Sequence, residues 1–472
     1  MTIGELQEKR VAILGLGVNN WELVRYLAQH GVRLEVCERD ASRQIDFEKA
    51  FPKIKEHVTW KIGKNILDGL DRYQVVFRSP SIPVHSPALV KASKKGVVVY
   101  SQTRLFFDLC PCPIIGVSGT KGKGTTCTLL HKILSAGYKG GASYLAGNIG
   151  VDPFSFLDDL QPSDRVILEL SSFQLQDLEK SPQTAILLTV GSDHLDHHKS
   201  LAEYQDAKSS LLRFQGKNDV AVINVQDPAM KRYLPLCKGR LFAYNRFYPA
   251  RQSAWVDIQD GAETVFIQIG EEIDSFVSTG RRLLGEHNLD NILPAALVAR
   301  LEGIPVSVIQ QEVVDFAGLE HRLSHIGHYG EYDFYDDSIA TMPESCLVAM
   351  QAFSGRRIHL IAGGSDKGAD YTALAGEILN RCVSVTLLPG AATKRLSAAL
   401  RKQKKRSECQ IFESPEKVSF PALLSGINLY LEPGDVVLLA PAAASFASFK
   451  NYKERGDLFA AAVRERYGKL EP

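Results

Sequence analysis

The chain has 472 residues, too many for one hydrophobic core, and its length alone points to about three domains. Hydrophobic residues at 45% and charged residues at 23% describe an ordinary globular chain. Fifty-five Lys plus Arg stand against 54 Asp plus Glu, so there is no basic footprint for nucleic acid or an anionic membrane, and neither partner is expected.

The segment from Met1 to Arg10 is polar and lacks the apolar core of a signal peptide. No apolar stretch is long enough to span a bilayer. The eight cysteines are scattered singly apart from Cys110 and Cys112, often with apolar flanks. Free buried thiols in a reducing compartment are therefore expected, and with them a cytoplasmic location.

Three times along the chain an apolar strand runs into a glycine turn and an amphipathic helix. The first unit starts at Arg10, turns at Gly15-Leu-Gly17 and continues as helix through Leu27. With Glu38 closing the next strand, it half-matches a dinucleotide fingerprint, but Asn20 stands where the third glycine belongs. The turn suits a nicotinamide cofactor or the diphosphate of another nucleotide at a helix N-terminus. Cys110-Pro-Cys-Pro113 separates this unit from the second.

The second unit carries the strongest signal, Gly119-Thr120-Lys121-Gly122-Lys123-Gly124-Thr125-Thr126 between a strand and a helix. Such glycines let backbone N–H groups face phosphate oxygens, and Lys123 adds a cation at the β/γ side. The loop departs from the strict phosphate-loop pattern at Val117 and Gly124, which leaves Thr125 to reach a metal. Downstream, the apolar run from Val166 ends in Glu169, the strand-end acid that can hold magnesium opposite the loop. After a strand over 184–190 comes Asp193-His194-Leu-Asp196-His197-His198. No cysteine or helical pair of histidines accompanies it, so one histidine ligand to magnesium is expected rather than a zinc cage. The third unit starts at Arg357, turns at Gly363-Gly364 and leads to a helix over 371–379. Phe316-Ala-Gly318 marks its boundary, and alternating strands and helices make all three domains α/β with parallel sheets. The basic run from Arg401 to Arg406 reads as a solvated helix face.

These motifs, in this order, resemble the Mur ligases of peptidoglycan synthesis over essentially the whole chain. The matching segments are GTKGKGTT at 119, AGNIG at 146, LELSSFQL at 168, SDHLDHH at 192, Tyr204-Gln-Asp-Ala-Lys208, GEHNLDN at 285 and HRL at 321. Within the family the chain is similar to the members that add glutamate to UDP-N-acetylmuramoyl-L-alanine, on Leu170 to Gln174, Gly363 to Asp370 and Ala444 to Tyr452. The resemblance implies an N-terminal Rossmann-like UDP-sugar-binding domain at 1–108, a central ATP-binding P-loop domain at 109–316 and a C-terminal Rossmann-like amino-acid-binding domain at 317–472. It implies ATP and Mg2+, transfer of the γ-phosphate to the alanyl carboxylate, and attack by the glutamate amine on the acyl phosphate.

Carried over residue by residue, the resemblance puts the ATP phosphates at 119–126 with Lys123. Magnesium would lie on Thr125 and Glu169, and a second ion on His194 and a carbamylated Lys208. Asn288, Asn291, Arg322 and Asp337 would surround the rest of ATP. Val18, Asn19, Glu38, Arg39, Ser79 and Asn148 would hold the UDP-sugar. Thr341, Lys367, Ser445 and Tyr452 would hold glutamate, and the chain would act as a monomer. One departure bears on the amino acid: where these members usually carry Asn-Asp-Ser-Lys-Ala-Thr, this chain has Asp336-Asp-Ser-Ile-Ala-Thr341. Ile339 removes a cation, as in a variant branch that adds L-glutamate, so D- and L-glutamate both stay open. A folylpolyglutamate-synthase-like ligase shares Gly124, but residues 1–108 count against it. A nicotinamide dehydrogenase leaves the 119–126 loop and Lys208 without a role, and a P-loop regulator has no use for Lys367 or Ser445.

Overall fold

Short apolar runs closed by glycine turns become twenty strands in three sheets among the described residues of this computed structural model. Those residues are 1–80, 82–191, 200–246, 252–366, 369–404 and 407–468, and the side chains of Val18 and Asn19 are not among them. The chain divides into two units, Met1–Gly280 with His287–Val314, and Arg281–Glu286 with Asp315–Pro472.

The first unit holds two sheets. Strands β1 (Val11–Leu14), β2 (Leu34–Glu38), β3 (Val58–Ile62), β4 (Val75–Arg78) and β5 (Val98–Ser101) lie parallel in the order β3-β2-β1-β4-β5. β1 and β4 are buried along their whole length, as continuous apolar runs are when helices cover both faces. Strand order reverses between β1 and β4, so the glycine turn after β1 opens into the crevice where doubly wound sheets bind ligands.

The second sheet has the order β14-β13-β12-β11-β10-β9-β6-β8-β7. Its strands are β6 (Ile114–Ser118), β7 (Ser143–Gly147), β8 (Arg165–Glu169), β9 (Thr184–Leu187), β10 (Val220–Asn224), β11 (Arg240–Tyr244), β12 (Ser253–Gln259), β13 (Ala262–Ile269) and β14 (Glu272–Val277). β6 lies between β8 and β9, so this sheet also reverses at the strand that carries the 119–126 loop. The parallel reading fails at one end, where β12, β13 and β14 form an antiparallel meander. Its first turn is Asp260-Gly261, both residues left-handed, which suits a tight hairpin twist.

In the second unit, β15 (Ser324–Tyr329), β16 (Tyr332–Asp336), β17 (Ile358–Gly363), β18 (Cys382–Leu388), β19 (Gln410–Glu413) and β20 (Val436–Leu439) take the order β15-β16-β20-β17-β18-β19. Only β15 runs antiparallel to its neighbour. Apolar clusters cover both faces, and the order reverses between β20 and β17. The basic run ends the helix Ala391–Gln403, with Arg401 exposed and paired to Glu413 at 3.0 Å. No helix among the described residues is long and apolar enough to cross a membrane.

Candidate active site

β6 runs into the loop at 119–122, which feeds the helix Lys123–Gly137. Two glycines are needed there for steric reasons. Gly122 sits at φ 85°, and a Cβ on it would stand 2.0 Å from Asn291 Oδ1. Gly119 sits at φ 154°, and its Cβ would meet the Leu188 Cβ at 2.6 Å. Gly122 is also the helix N-cap and supplies no side-chain acceptor to the first-turn N–H groups, which suits an anion at that end. Lys123 Nζ folds back to donate to Gly119 O and Thr120 O, each at 3.0 Å. Thr120 Oγ1 accepts from Gly191 N at 2.9 Å and lies 3.0 Å from the Tyr204 hydroxyl. Lys121 is exposed, whereas Gly124, Thr125 and Thr126 are buried in the first helical turn.

Lys208 converges on the same loop from the helix Leu201–Arg213. Its Nζ donates to Gly119 O at 2.8 Å and to Ser118 Oγ at 3.3 Å, and lies 4.7 Å from the Tyr204 ring centre. Lys208 is 1% exposed. Ser118 Oγ donates onward to Leu170 O at 2.8 Å, just past Glu169. Glu169 is buried at the carboxyl end of β8, beside the loop strand. Burial, with the Glu169 charge adding to it, pushes the Cys127 thiol well up. Thr125 and Glu169 are hard oxygen donors of the kind magnesium takes, so the residues present fit that ion. His194 lies outside the described residues.

Asn288 and Asn291 brace the loop. Asn291 Nδ2 donates to Asn288 Oδ1 at 2.8 Å, and the Thr126 hydroxyl reaches Asn291 Oδ1 at 3.5 Å. The helix Leu289–Leu301, buried along most of its length, is thereby tied to the helix Lys123–Gly137.

At the N-terminal sheet, the backbone of Val18 and Asn19 opens the helix Val18–Gln29. Gly15 is left-handed, and its missing Cβ leaves room 3.5 Å from Ser79 Cβ. Asn20 replaces the fingerprint glycine for a visible reason: it is wholly buried, and its amide donates to Gly15 O at 2.9 Å. Glu38 is turned inward, with one carboxylate oxygen accepting from Leu16 N at 2.5 Å and the other from Arg39 N and Asp40 N. It therefore shapes the turn, while the Arg39 residue is exposed beside it. Asn148 lines a cavity of about 130 Å³ with Gln102, Asp152 and Gln174.

In the second unit the loops after β16, β17 and β20 gather at one end of the sheet. Ser365 N donates to Ala444 O at 2.9 Å, and Ala442 N to Ala340 O at 2.7 Å. Asp337 is buried and accepts from Leu323 N at 3.1 Å; burial pushes its carboxyl up to about 7, against the pull of the Arg322 charge. Thr341 is half-buried, Ser445 is buried, and Tyr452 opens the helix Tyr452–Tyr467. Lys367 lies outside the described residues. Asp336 accepts from Ser338 N at 2.8 Å and lies 2.7 Å from His321 Nδ1. Ile339 is half-buried, with its N–H on His321 O at 3.1 Å.

Four positioning groups escaped the sequence reading. Tyr204 sits one helical turn before Lys208, a spacing that could have revealed it. Arg455 is wholly buried and donates to Ser338 Oγ, Ser338 O and Ala443 O, which holds two of the gathered loops. Arg78 donates to Asp177 at 2.8 and 3.0 Å and to four backbone carbonyls, and so fixes the segment after β4 to the central sheet. Gln102 donates to Asp152 at 2.7 Å across the same two sheets. The last three join residues far apart in the chain, and no local pattern announces them.

Three family models match the chain in order. Residues 9–101 match the Mur ligase MurD-like N-terminal domain, 117–299 the Mur ligase middle domain and 321–443 the Mur ligase glutamate ligase domain. The UDP-N-acetylmuramoylalanine–D-glutamate ligase of Clostridium tetani is 34% identical over 464 residues, 97% of each chain. That of Symbiobacterium thermophilum is 33% identical over 460 residues, 97% of this chain and 98% of the relative. Among solved structures, MurF ligase of Thermotoga maritima in complex with ADP aligns with a TM-score of 0.58 at 15% identity, over 99% of this chain and 97% of that one. UDP-N-acetylmuramate-alanine ligase of the same organism aligns at 0.57 and 16% identity, over 98% and 100%. At such identity the two structures establish a shared fold.

Proposed function

The chain belongs to the Mur ligase family, and on that premise we propose that it spends ATP to join glutamate to UDP-N-acetylmuramoyl-L-alanine. It is an ATP-dependent ligase of peptidoglycan synthesis, and neither the dehydrogenase nor the folate-ligase reading is favoured. The observation that carries the residue assignment is the convergence of Lys123 and Lys208 on one carbonyl, Gly119 O, where the loop leaves β6. A cationic, anion-binding turn with an acid beside it suits transfer of a phosphoryl group to a carboxylate, which depends on positioning and charge neutralisation.

In this reading Gly119 to Thr126 cradle the ATP phosphates and Lys123 leaves its carbonyl partners to hold them. Thr125 and Glu169, with His194 and a carbamylated Lys208, would hold magnesium, which supplies positive charge to the phosphate oxygens. Asn288, Asn291, Arg322 and Asp337 serve the remainder of ATP. Val18, Asn19, Ser79, Arg39 and Asn148 bind the UDP-sugar, with Glu38 acting through the backbone of the turn. Thr341, Lys367, Ser445 and Tyr452 hold glutamate. The domains run 1–108, 109–316 and 317–472, and the enzyme works as a monomer in the cytoplasm.

The relatives are named for D-glutamate. Ile339, where the usual member has lysine, favours testing L-glutamate beside it. Phosphate release is measured with ATP, magnesium, UDP-N-acetylmuramoyl-L-alanine and either enantiomer. Release that ignores the muramoyl substrate would end the proposal, and the preferred enantiomer decides the stereochemistry. Lys208→Ala should lose activity and regain part of it with short carboxylic acids; no regain argues against the carbamate.

A further inference from the structure

The motif that the ligase site leaves unused is Cys110-Pro111-Cys112-Pro113, the link between the helix Gln102–Leu109 and β6. Cys110 closes the helix, with its N–H donating to Phe106 O at 2.9 Å, and is half-buried. Cys112 is 4% exposed in the apolar core. Their sulphurs lie 3.7 Å apart, and Cys110 Sγ also reaches Cys112 O at 3.4 Å. Among the described residues this is the one hydrogen bond between cysteine sulphurs; Cys37, Cys127, Cys346, Cys382 and Cys409 are buried, and Cys237 is half-buried with its thiol on Tyr233 O. Pro111 fixes φ between the pair, so the two thiols are held by a stiff link. A disulfide requires about 2 Å between sulphurs, which leaves a short approach for the two side chains.

We propose that Cys110 and Cys112 form a redox modification site that closes reversibly to a disulfide when it meets a small-molecule disulfide such as glutathione disulfide. The Cys110 thiolate attacks one sulphur of the oxidant, whose S–S bond breaks; one glutathione leaves and takes up a proton. Cys112 then gives up its proton and attacks Cys110 Sγ, the mixed disulfide breaks, and the second glutathione leaves as thiol. Two protein thiols are oxidised and one disulfide is reduced to two thiols. The order follows from the surroundings. The hydrogen bond from Cys112 holds the Cys110 thiol below its ordinary range, whereas that same contact and burial push Cys112 far up. Cys110, the more accessible of the two, attacks first, and Cys112 acts as the resolving thiol. Closure stays local, because the next residues are pinned: Ile114 N donates to Gln183 Oε1 at 2.9 Å and Val166 N to Pro113 O at 3.2 Å.

The test uses the full chain, reduced, freed of reductant and equilibrated in buffers of rising glutathione disulfide to glutathione ratio. It is then alkylated with N-ethylmaleimide in denaturant and digested with trypsin. Both cysteines fall in the peptide 105–121, since no Lys or Arg interrupts it. That peptide should lose both alkyl groups, become lighter by two hydrogens, and recover both sites after dithiothreitol. Cys112→Ser should stop at a glutathione adduct on Cys110, and Cys237 should stay alkylated throughout. The proposal is overturned if the wild-type peptide keeps both alkyl groups across the whole range, or if the glutathione adduct on Cys110 accumulates with Cys112 present.

Discussion

Replacing Gly122 by alanine strikes the loop at its most crowded point. The residue sits in the left-handed region at φ 85°, and the new Cβ would stand 2.0 Å from Asn291 Oδ1. Left-handed backbone costs alanine about 1–2 kcal/mol relative to glycine. Relief of the contact moves the Asn291 amide, which breaks its bonds with Asn288 and Thr126 in a buried setting at about 1–3 kcal/mol. The total is about 2–5 kcal/mol, or roughly 3–8 °C in the unfolding midpoint of a unit this large. Urea unfolding of the variant measures the loss, and equilibrium binding of an ATP analogue should show weakened affinity as the N–H groups of the loop lose their aim. Gly4→Ala is the control, because among the described residues nothing lies within 4 Å of its added Cβ and its φ is outside the left-handed range. A Gly122→Ala protein within about 0.5 kcal/mol of wild type would refute the account, since surface substitutions without such a clash behave that way.

Arg78→Met should lower the urea-derived stability by about 3–5 kcal/mol, because Asp177 and the carbonyls of Ser79, Pro80, Ile82 and Phe173 lose a buried donor; a near-neutral result would mean the guanidinium is dispensable. For Asp152, burial lifts the carboxyl to about 6, with Glu22 adding to the rise and the bonds from Phe154 N and Gln102 opposing it. A raised folded value means that its stabilising contribution is complete below about pH 4 and disappears as pH climbs through 6. Asp152→Asn should therefore be more stable than wild type at pH 7, on the order of 2 kcal/mol, with the gap closing on acidification; thermal melts across that window decide it. Ser384, His359 and Asp435 form a serine–histidine–aspartate chain at 2.8 and 3.0 Å, all wholly buried. A fluorophosphonate should fail to label Ser384, and labelling would overturn the structural role assigned to the chain by its burial.

Sequence and structure part company where chemistry depends on distance along the chain. The nucleotide loop was legible because its glycines, lysine and threonines are consecutive and each answers a local demand for backbone freedom or charge. Three α/β sheets were legible from recurring apolar strands and glycine turns. The antiparallel meander at β12 to β14 was not anticipated, although Asp260-Gly261 is a hairpin turn signal in its own right. Glu38, which the family resemblance puts at the UDP-sugar, also accepts from three backbone N–H groups, a role that its strand-end position does not announce. Asn20 looked like a damaged fingerprint and is a cap on Gly15. Arg78, Arg455 and Gln102 each reach a partner 50 to 117 positions away, a separation that no period or motif encodes.

The two lysines that share Gly119 O have a thermodynamic consequence. With donor distances of 3.0 and 2.8 Å to one oxygen, their ammonium groups lie at most about 6 Å apart. Like charges that close repel by a few kcal/mol at an effective dielectric near 20. A polyphosphate arriving at the loop would lessen that mutual repulsion. Linkage makes the relation reciprocal: any change in the charge of Lys208 alters affinity for the nucleotide, and the bound nucleotide shifts the charge preference of Lys208 by the same factor. The amine at 208 is thus coupled to nucleotide affinity through whatever charge it carries.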